Sequence, residues 1–200
     1  MTLGDMCIMA ARFSDRWDEF ELVELDDGTM GYEDDALMYF QVFRDGINEA
    51  YFEVARQKKL LDRYRQVQVR DDGTVRLDRL SPECWEIESV QGENQERALS
   101  FTFQTRSQIV VDGTQPGDMV TVHYYYVPER LEKLNDEPVL TEAQVDPMVY
   151  VSLAVARMWL SEKKLDYYNA WMAQYYTYLR GVRSRYDGNA TRRIPRRRFR

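Results

Sequence analysis

The spacing of apolar residues changes twice along this chain, and that constrains its fold more than any other feature. Up to about residue 63 they recur every three or four positions. From Tyr64 to Val127 they alternate, and after Pro147 the helical spacing returns. A helical pattern laid along a strand would send half of its apolar side chains to the wrong face. The chain therefore reads as helices, then strands, then helices again.

Residues 2 to about 13 form the first expected helix, with Thr2 and Asp5 as a capping-box pair and Met6, Ile8, Met9 and Phe13 supplying apolar surface. The acid-rich stretch from Asp15 to Tyr32, with its Asp27-Gly28 pair, reads mostly as loop. A long helix is expected over residues 34 to about 60. Asp34 and Asp35 suit the positive end of its dipole, and Arg56, Lys58 and Lys59 suit the other. Phe40, Phe43, Ile47, Tyr51, Val54 and Ala55 mark one face. Gly46 inside it reads as a blemish costing about 1 kcal/mol relative to Ala.

About six short strands are expected between residues 64 and 127. They are Tyr64–Val69, Thr74–Leu77 after an Asp72-Gly73 turn, Trp85–Ser89, Leu99–Phe103, Gln108–Val111 and Met119–Val127. Asp112-Gly113 and Pro116-Gly117 supply further turns. Beyond them, residues 147 to about 162 are apolar on most faces, the mark of a buried helix. Pro147 suits its first turn, with Asp146 before it as cap. A second helix is expected from Leu165 to Ser184, striped by Tyr168, Trp171, Met172, Tyr175 and Leu179. Tyr186 to Arg200 reads as an arm that is unfolded in the isolated subunit.

The predicted fold class is thus α+β: a helical bundle with a small antiparallel β-sandwich or barrel inserted between N-terminal helices and a C-terminal αα-hairpin, plus an extended basic arm. The divisions fall at residues 1–63, 64–130, 131–185 and 186–200.

Charge and chemistry narrow the function. The net charge is −7, yet the span from Arg180 to Arg200 holds nine Arg and one acid, a local +8, which leaves −15 on residues 1–179. No run approaches the roughly 18 apolar residues of a membrane span. Phosphate-loop, dinucleotide-fingerprint, His-Glu-x-x-His, Cys-x-x-Cys and Gly-x-Ser-x-Gly motifs are all absent. His123, the only histidine, lies in a strand-like run, and Cys7 and Cys84 are far apart, so all three read as packing residues. Asp26 with Asp27, and Asp34 with Asp35, lack calcium-loop spacing and read as a solvated loop and a helix start. We therefore expect no catalytic residues, cofactor or metal, and no enzymatic activity.

The arm offers three readings: a solubilising tail, a nucleic-acid arm, or a docking arm for an acidic protein groove. Arg192, Arg193, Arg196, Arg197, Arg198 and Arg200 serve either binding role, by neutralising phosphates or by forking onto carboxylates. Ile194, Pro195 and Phe199 add apolar anchors and a rigid bend, which favour docking. Trp159, Tyr168, Trp171 and Tyr175 are expected on the core or subunit-facing sides of the two last helices.

The segment from Val145 to Leu160, then Asp166 to Trp171 and Tyr178 to Arg180, resembles the closing hairpin of the head-to-tail adaptor (connector, tail tubular, head-completion) proteins of tailed bacteriophages. Pro128 to Leu131, leaving the strand that ends at Val127, fits the same likeness; the long acidic stretch before Gly31 departs from it. The resemblance implies a structural virion protein at the neck, made in the host cytoplasm. It implies a homo-oligomer, a dodecameric ring that docks on the portal protein, extends the DNA channel and receives the tail or further neck proteins. Double-stranded DNA would pass without sequence-specific contact, with no membrane involved. The family's C-terminal extension reaches the portal, which maps onto Tyr186 to Arg200. The alternative is a DNA-binding or packaging accessory protein that uses the Arg-rich arm.

Overall fold

Thr2 starts the first helix, α1 (Leu3–Phe13), through a reciprocal cap. Its Oγ1 accepts from the Asp5 N–H at 3.1 Å, and its own N–H donates to Asp5 Oδ2 at 3.0 Å. The structure is a computed structural model and describes residues 1–16, 23–24, 30–31, 34–93 and 97–184. The arm from Tyr186 to Arg200, and most of the acidic stretch expected to be loop, lie outside the described residues. Within that stretch, β1 (Val23–Glu24) and β2 (Met30–Gly31) pair antiparallel.

Mixed helix and sheet make this an α+β protein, with its contacts clustered into two units. One comprises Met1–Lys58 with the chain from Arg130 onward; the other is Lys59–Glu129.

The first unit is helical. It holds α1, α2 (Asp34–Lys58), α3 (Met148–Ser161) and α4 (Leu165–Gly181). The expected face of α2 is buried at Phe43, Ile47, Tyr51, Val54 and Ala55. α3 packs against α1, α2 and α4, and from Val149 to Trp159 every residue except Arg157 is buried. Asp146 Oδ1 accepts from the Met148 N–H at 2.9 Å, so the side chain before Pro147 serves the first helical turn. Gly46 is no blemish: a Cβ built there would lie 2.6 Å from Ala154 Cα. The missing side chain lets α2 and α3 approach at that point, which offsets the helix-propensity cost. α4 ends at Gly181 rather than at Ser184, because Val182 turns to extended backbone and is buried.

The irregular chain from Arg130 to Pro147 is tied to these helices by polar clamps. Asn48 Nδ2 donates to the Leu131 carbonyl at 3.0 Å, and its Oδ1 accepts from the Leu131 N–H at 2.8 Å. The Val139 N–H donates to the Tyr51 hydroxyl at 2.8 Å. The N–H groups of Leu3 and Gly4 donate to the carbonyls of Asp136 and Leu134, each at 2.8 Å. First-turn donors that no helix partner could satisfy thus find acceptors in the loop.

The second unit is antiparallel β. One sheet has the order β3 (Asp62–Gln68), β9 (Met119–Tyr126), β5 (Cys84–Gly92), β6 (Ala98–Leu99). The other has β4 (Thr74–Arg76), β8 (Gln108–Val111), β7 (Phe101–Thr105). A shared cluster including Val75, Val90, Ile109, Val120, Val122 and Tyr124 fills the space between their inner faces. The barrel alternative fails, because among the described residues β3 and β6 bound one sheet and β4 and β7 the other. The expected strand Leu99–Phe103 is divided at Ser100, where the chain passes from one sheet to the other. Trp85 is about half exposed although its neighbours alternate, because the β5–β9 register shifts between Cys84 and Glu86 and again between Ile87 and Ser89. Phe103, expected to match Phe101, is also about half exposed, since β7 is an edge strand.

His123 is a packing residue with a polar tie. Its Nε2 lies 2.8 Å from Asp62 Oδ2, and its ring stacks on Tyr64 at 4.1 Å. Both cysteines are free, and burial pushes the Cys7 thiol up to about 12 and the Cys84 thiol up to about 11.

Candidate interaction surface of the helical unit

The side chains singled out on the last two helices divide between core and surface. Tyr175 is buried, and its hydroxyl donates to Glu53 Oε2 on α2 at 2.6 Å. Burial, reinforced by that carboxylate, raises the phenol above its ordinary range. Trp159 is buried on α3; its ring stacks on Tyr167 of α4 at 4.8 Å, and Lys164 Nζ sits 4.6 Å from the ring centre. Trp171 is half-buried and meets Phe13 at the end of α1, with ring centres 5.5 Å apart. Tyr168 is half-buried. Arg192, Arg193, Ile194, Pro195, Arg196, Arg197, Arg198, Phe199 and Arg200 lie outside the described residues.

One carboxylate, which sequence reasoning passed over, organises this end of the unit. Glu162, in the turn between α3 and α4, pairs through Oε1 with Arg16 Nη2 and accepts from the Tyr39 hydroxyl at 3.3 Å. Its Oε2 lies 2.9 Å from Lys164 Nζ. Burial alone would push this carboxyl up, but the two cations and their hydrogen bonds outweigh it and hold it below the usual carboxylate range. The Arg16 guanidinium also lies over the Tyr39 ring, 5.3 Å from its centre. The end of α1, the first turns of α2 and the α3–α4 turn therefore meet at Glu162. In sequence it sits in a run of charged residues, Glu162-Lys163-Lys164, that resembles any solvated turn.

The turn that carries Glu162 is exposed and charged at Lys163, Lys164 and Asp166, and exposed apolar side chains also occur in this unit. Phe13, Leu37, Met38, Leu165 and Tyr167 are each between 46% and 58% exposed. Exposed apolar residues scattered singly are ordinary on a protein surface.

Clefts lie elsewhere on the helical unit. One of about 210 Å³ lies beside α1, lined by Thr2, Cys7, Ile8 and Phe40 among others. Among the described residues, no group of three His, Cys, Asp or Glu is placed to hold a metal ion. No helix among them is long and apolar enough to cross a membrane. No protein-family model matches the chain, and no curated protein matches it.

Proposed function

We propose that the chain is a structural virion protein, a head-to-tail adaptor of a tailed bacteriophage. In this reading its copies form a ring, twelve in the family it resembles, that docks on the portal, prolongs the DNA channel and receives the tail or further neck proteins. It is made in the host cytoplasm, has no catalytic role and works in the virion neck. The observation carrying the proposal is the placement of the β unit, Lys59–Glu129, within the sequence of a helical unit closed by the α3–α4 hairpin. We read that arrangement as a helical bundle with an inserted β-sandwich, the architecture the family resemblance implies. The basic arm on an acidic chain supports the same reading. It provides a segment suited to an acidic groove on a neighbouring ring. Trp159, Trp171 and Tyr175 then tie down the hairpin from which the arm departs.

Deleting residues 188–200 tests the proposal. Electron micrographs of the full chain mixed with portal rings are expected to show an added ring, and the shortened chain is expected to remain unattached while its affinity for duplex DNA is unchanged. The opposite pair of outcomes, portal attachment kept and salt-sensitive DNA binding lost, identifies a DNA-binding accessory protein instead.

A further inference from the structure

We propose that the free edge of β3 (Asp62–Gln68) is a docking site for an acidic, extended segment of a partner protein, which adds a strand to the four-stranded sheet and sets its carboxylates against Arg63 and Arg65. The inference concerns the β unit alone and goes beyond the adaptor reading, which gives this strand no role.

Backbone parity shows which side of β3 is open. The Tyr126 N–H donates to the Leu61 carbonyl at 3.1 Å, and the Val69 N–H donates to the Asp118 carbonyl at 2.8 Å. Between those two bonds β3 pairs with β9 residue for residue, without a register shift. In an antiparallel ladder, residues whose backbone groups bond the neighbour alternate with residues whose groups point away from it. Positions 61 and 69 bond toward β9, so Arg63, Arg65 and Val67 do too. The N–H and C=O groups of Tyr64 and Gln66 therefore point outward, and among the described residues no strand lies on that side. Arg63, Tyr64, Arg65 and Gln66 are all exposed, so the edge is open on both faces. The other edges are poorer templates. β6 and β4 have only two and three residues, and the pairing of β7 shifts between Phe103 and Thr105.

Charge selects the occupant. Arg63 and Arg65 alternate with Tyr64 and Gln66, so the two guanidinium groups share one face of the strand. Arg63 lies over the Tyr126 ring, 5.6 Å from its centre, and Arg65 Nη2 donates to the Ser81 carbonyl at 3.4 Å. Neither meets a carboxylate among the described residues, although the chain carries 34 acids against 27 Lys and Arg. A second copy of β3 is a poor partner. An antiparallel pair centred on Tyr64 sets Arg63 against Arg65, and one centred on Arg65 sets that residue against itself; like charges directly opposite are destabilising. A strand with acids at two alternate positions fits instead. Its backbone bonds the outward groups of Tyr64 and Gln66, while its carboxylates receive the forked guanidinium donors. Phosphates neutralise the same two charges but have no donor for the outward carbonyls, so nucleic acid fits this edge less well.

Nuclear magnetic resonance of the full, nitrogen-15-labelled chain tests this. The probe is a capped heptapeptide, Thr-Val-Glu-Val-Glu-Val-Thr. In the free protein the amides of Tyr64 and Gln66 are expected to exchange quickly with solvent, and with a few millimolar peptide their exchange is expected to slow by roughly tenfold. A twin with Lys in place of both Glu, and another with the Glu kept but its backbone nitrogens methylated, are expected to give little or none of that protection. In Arg63→Glu/Arg65→Glu protein the preference is expected to reverse, with the Lys peptide the better ligand. Both replaced side chains are exposed, and unshifted amides in β5 and β8 report that the sandwich is intact. The peptide series on the parent chain decides the matter even where that variant fails to fold. Equal protection by the Lys or the methylated peptide, greater protection by a duplex oligonucleotide, or no protection at a few millimolar acidic peptide would each overturn the proposal. So would protection that is present without peptide and grows with protein concentration, the sign of a second copy on the edge. No portal is present, so these outcomes leave the adaptor reading standing.

Discussion

At the residue scale, two side-chain environments make predictions that sequence reasoning alone would get wrong. Helix propensity favours Ala over Gly inside α2, yet Gly46→Ala is expected to destabilise the protein. The new Cβ would stand 2.6 Å from Ala154 Cα, and backbone cannot rotate aside as a flexible side chain can. Overpacking of this kind costs about 1–3 kcal/mol, which outweighs the roughly 1 kcal/mol propensity gain. A lower midpoint of urea unfolding followed by circular dichroism checks it; a rise would mean that the helices separate freely.

Glu162 gives the second. Its folded value lies below the ordinary 4.5, so its ionised form is favoured by the fold. Its contribution to stability is therefore fully present above about pH 4.5 and is lost as pH falls through the folded value. Glu162→Gln is expected to be less stable than the parent at neutral pH, and the difference should shrink as the solution is acidified below about pH 4. A gap that stays constant with pH would show that the carboxylate's charge is not what holds the Arg16, Tyr39 and Lys164 side chains together.

At the scale of elements, α1 depends on its cap. Thr2→Ala removes the oxygen that accepts the Asp5 N–H and breaks the reciprocal pair, an expected loss of about 1 kcal/mol in unfolding free energy. The effect should appear as faster amide exchange in the first turn of α1, while exchange in β3–β9 is unchanged. Three of the helices were legible in the sequence from their apolar faces at helical spacing, α3 from being apolar on most faces, and Thr2 with Asp5 announced its own cap. What escaped notice depends on neighbours distant in sequence. Gly46 looks like a defect until α3 is laid beside it. Nothing local marks Ser100 as the place where an apparently continuous strand crosses between sheets. Register shifts in β5 undo a regular alternation, because a bulge moves later side chains to the other face. Glu162 is a plain charged turn residue until three helices converge on it. Whether seven strands close or stay open is a property of edges, which the alternation of apolar residues does not encode.

At the scale of the whole molecule, the acid groups that titrate in alkali point one way. Burial raises the thiols of Cys7 and Cys84 from an ordinary 9.0 to about 12 and about 11, and it raises the phenols of Tyr124, Tyr150 and Tyr175 above their ordinary 10.0. Each group keeps its proton more readily when folded. Their contribution is intact below the unfolded values and is lost as pH rises from about 9. Urea midpoints are expected to fall steadily between about pH 9 and pH 11, and Cys7 should react slowly with thiol reagents at about pH 8 until the protein is unfolded. A midpoint that is flat across that range would contradict the burial of these groups.

The chain completes its β unit between the two halves of its helical unit, and this sets a timetable for the nascent polypeptide. α2 leaves the ribosome with Phe43, Ile47, Tyr51 and Val54 ready to be covered, but α3, which covers them, is still about ninety residues away. At roughly 5–20 residues per second the wait is on the order of 5–20 s. Over that interval the sheets can form and fold on their own, while the first two helices stand greasy side out. The growing chain is then most in need of a chaperone in the middle of its synthesis.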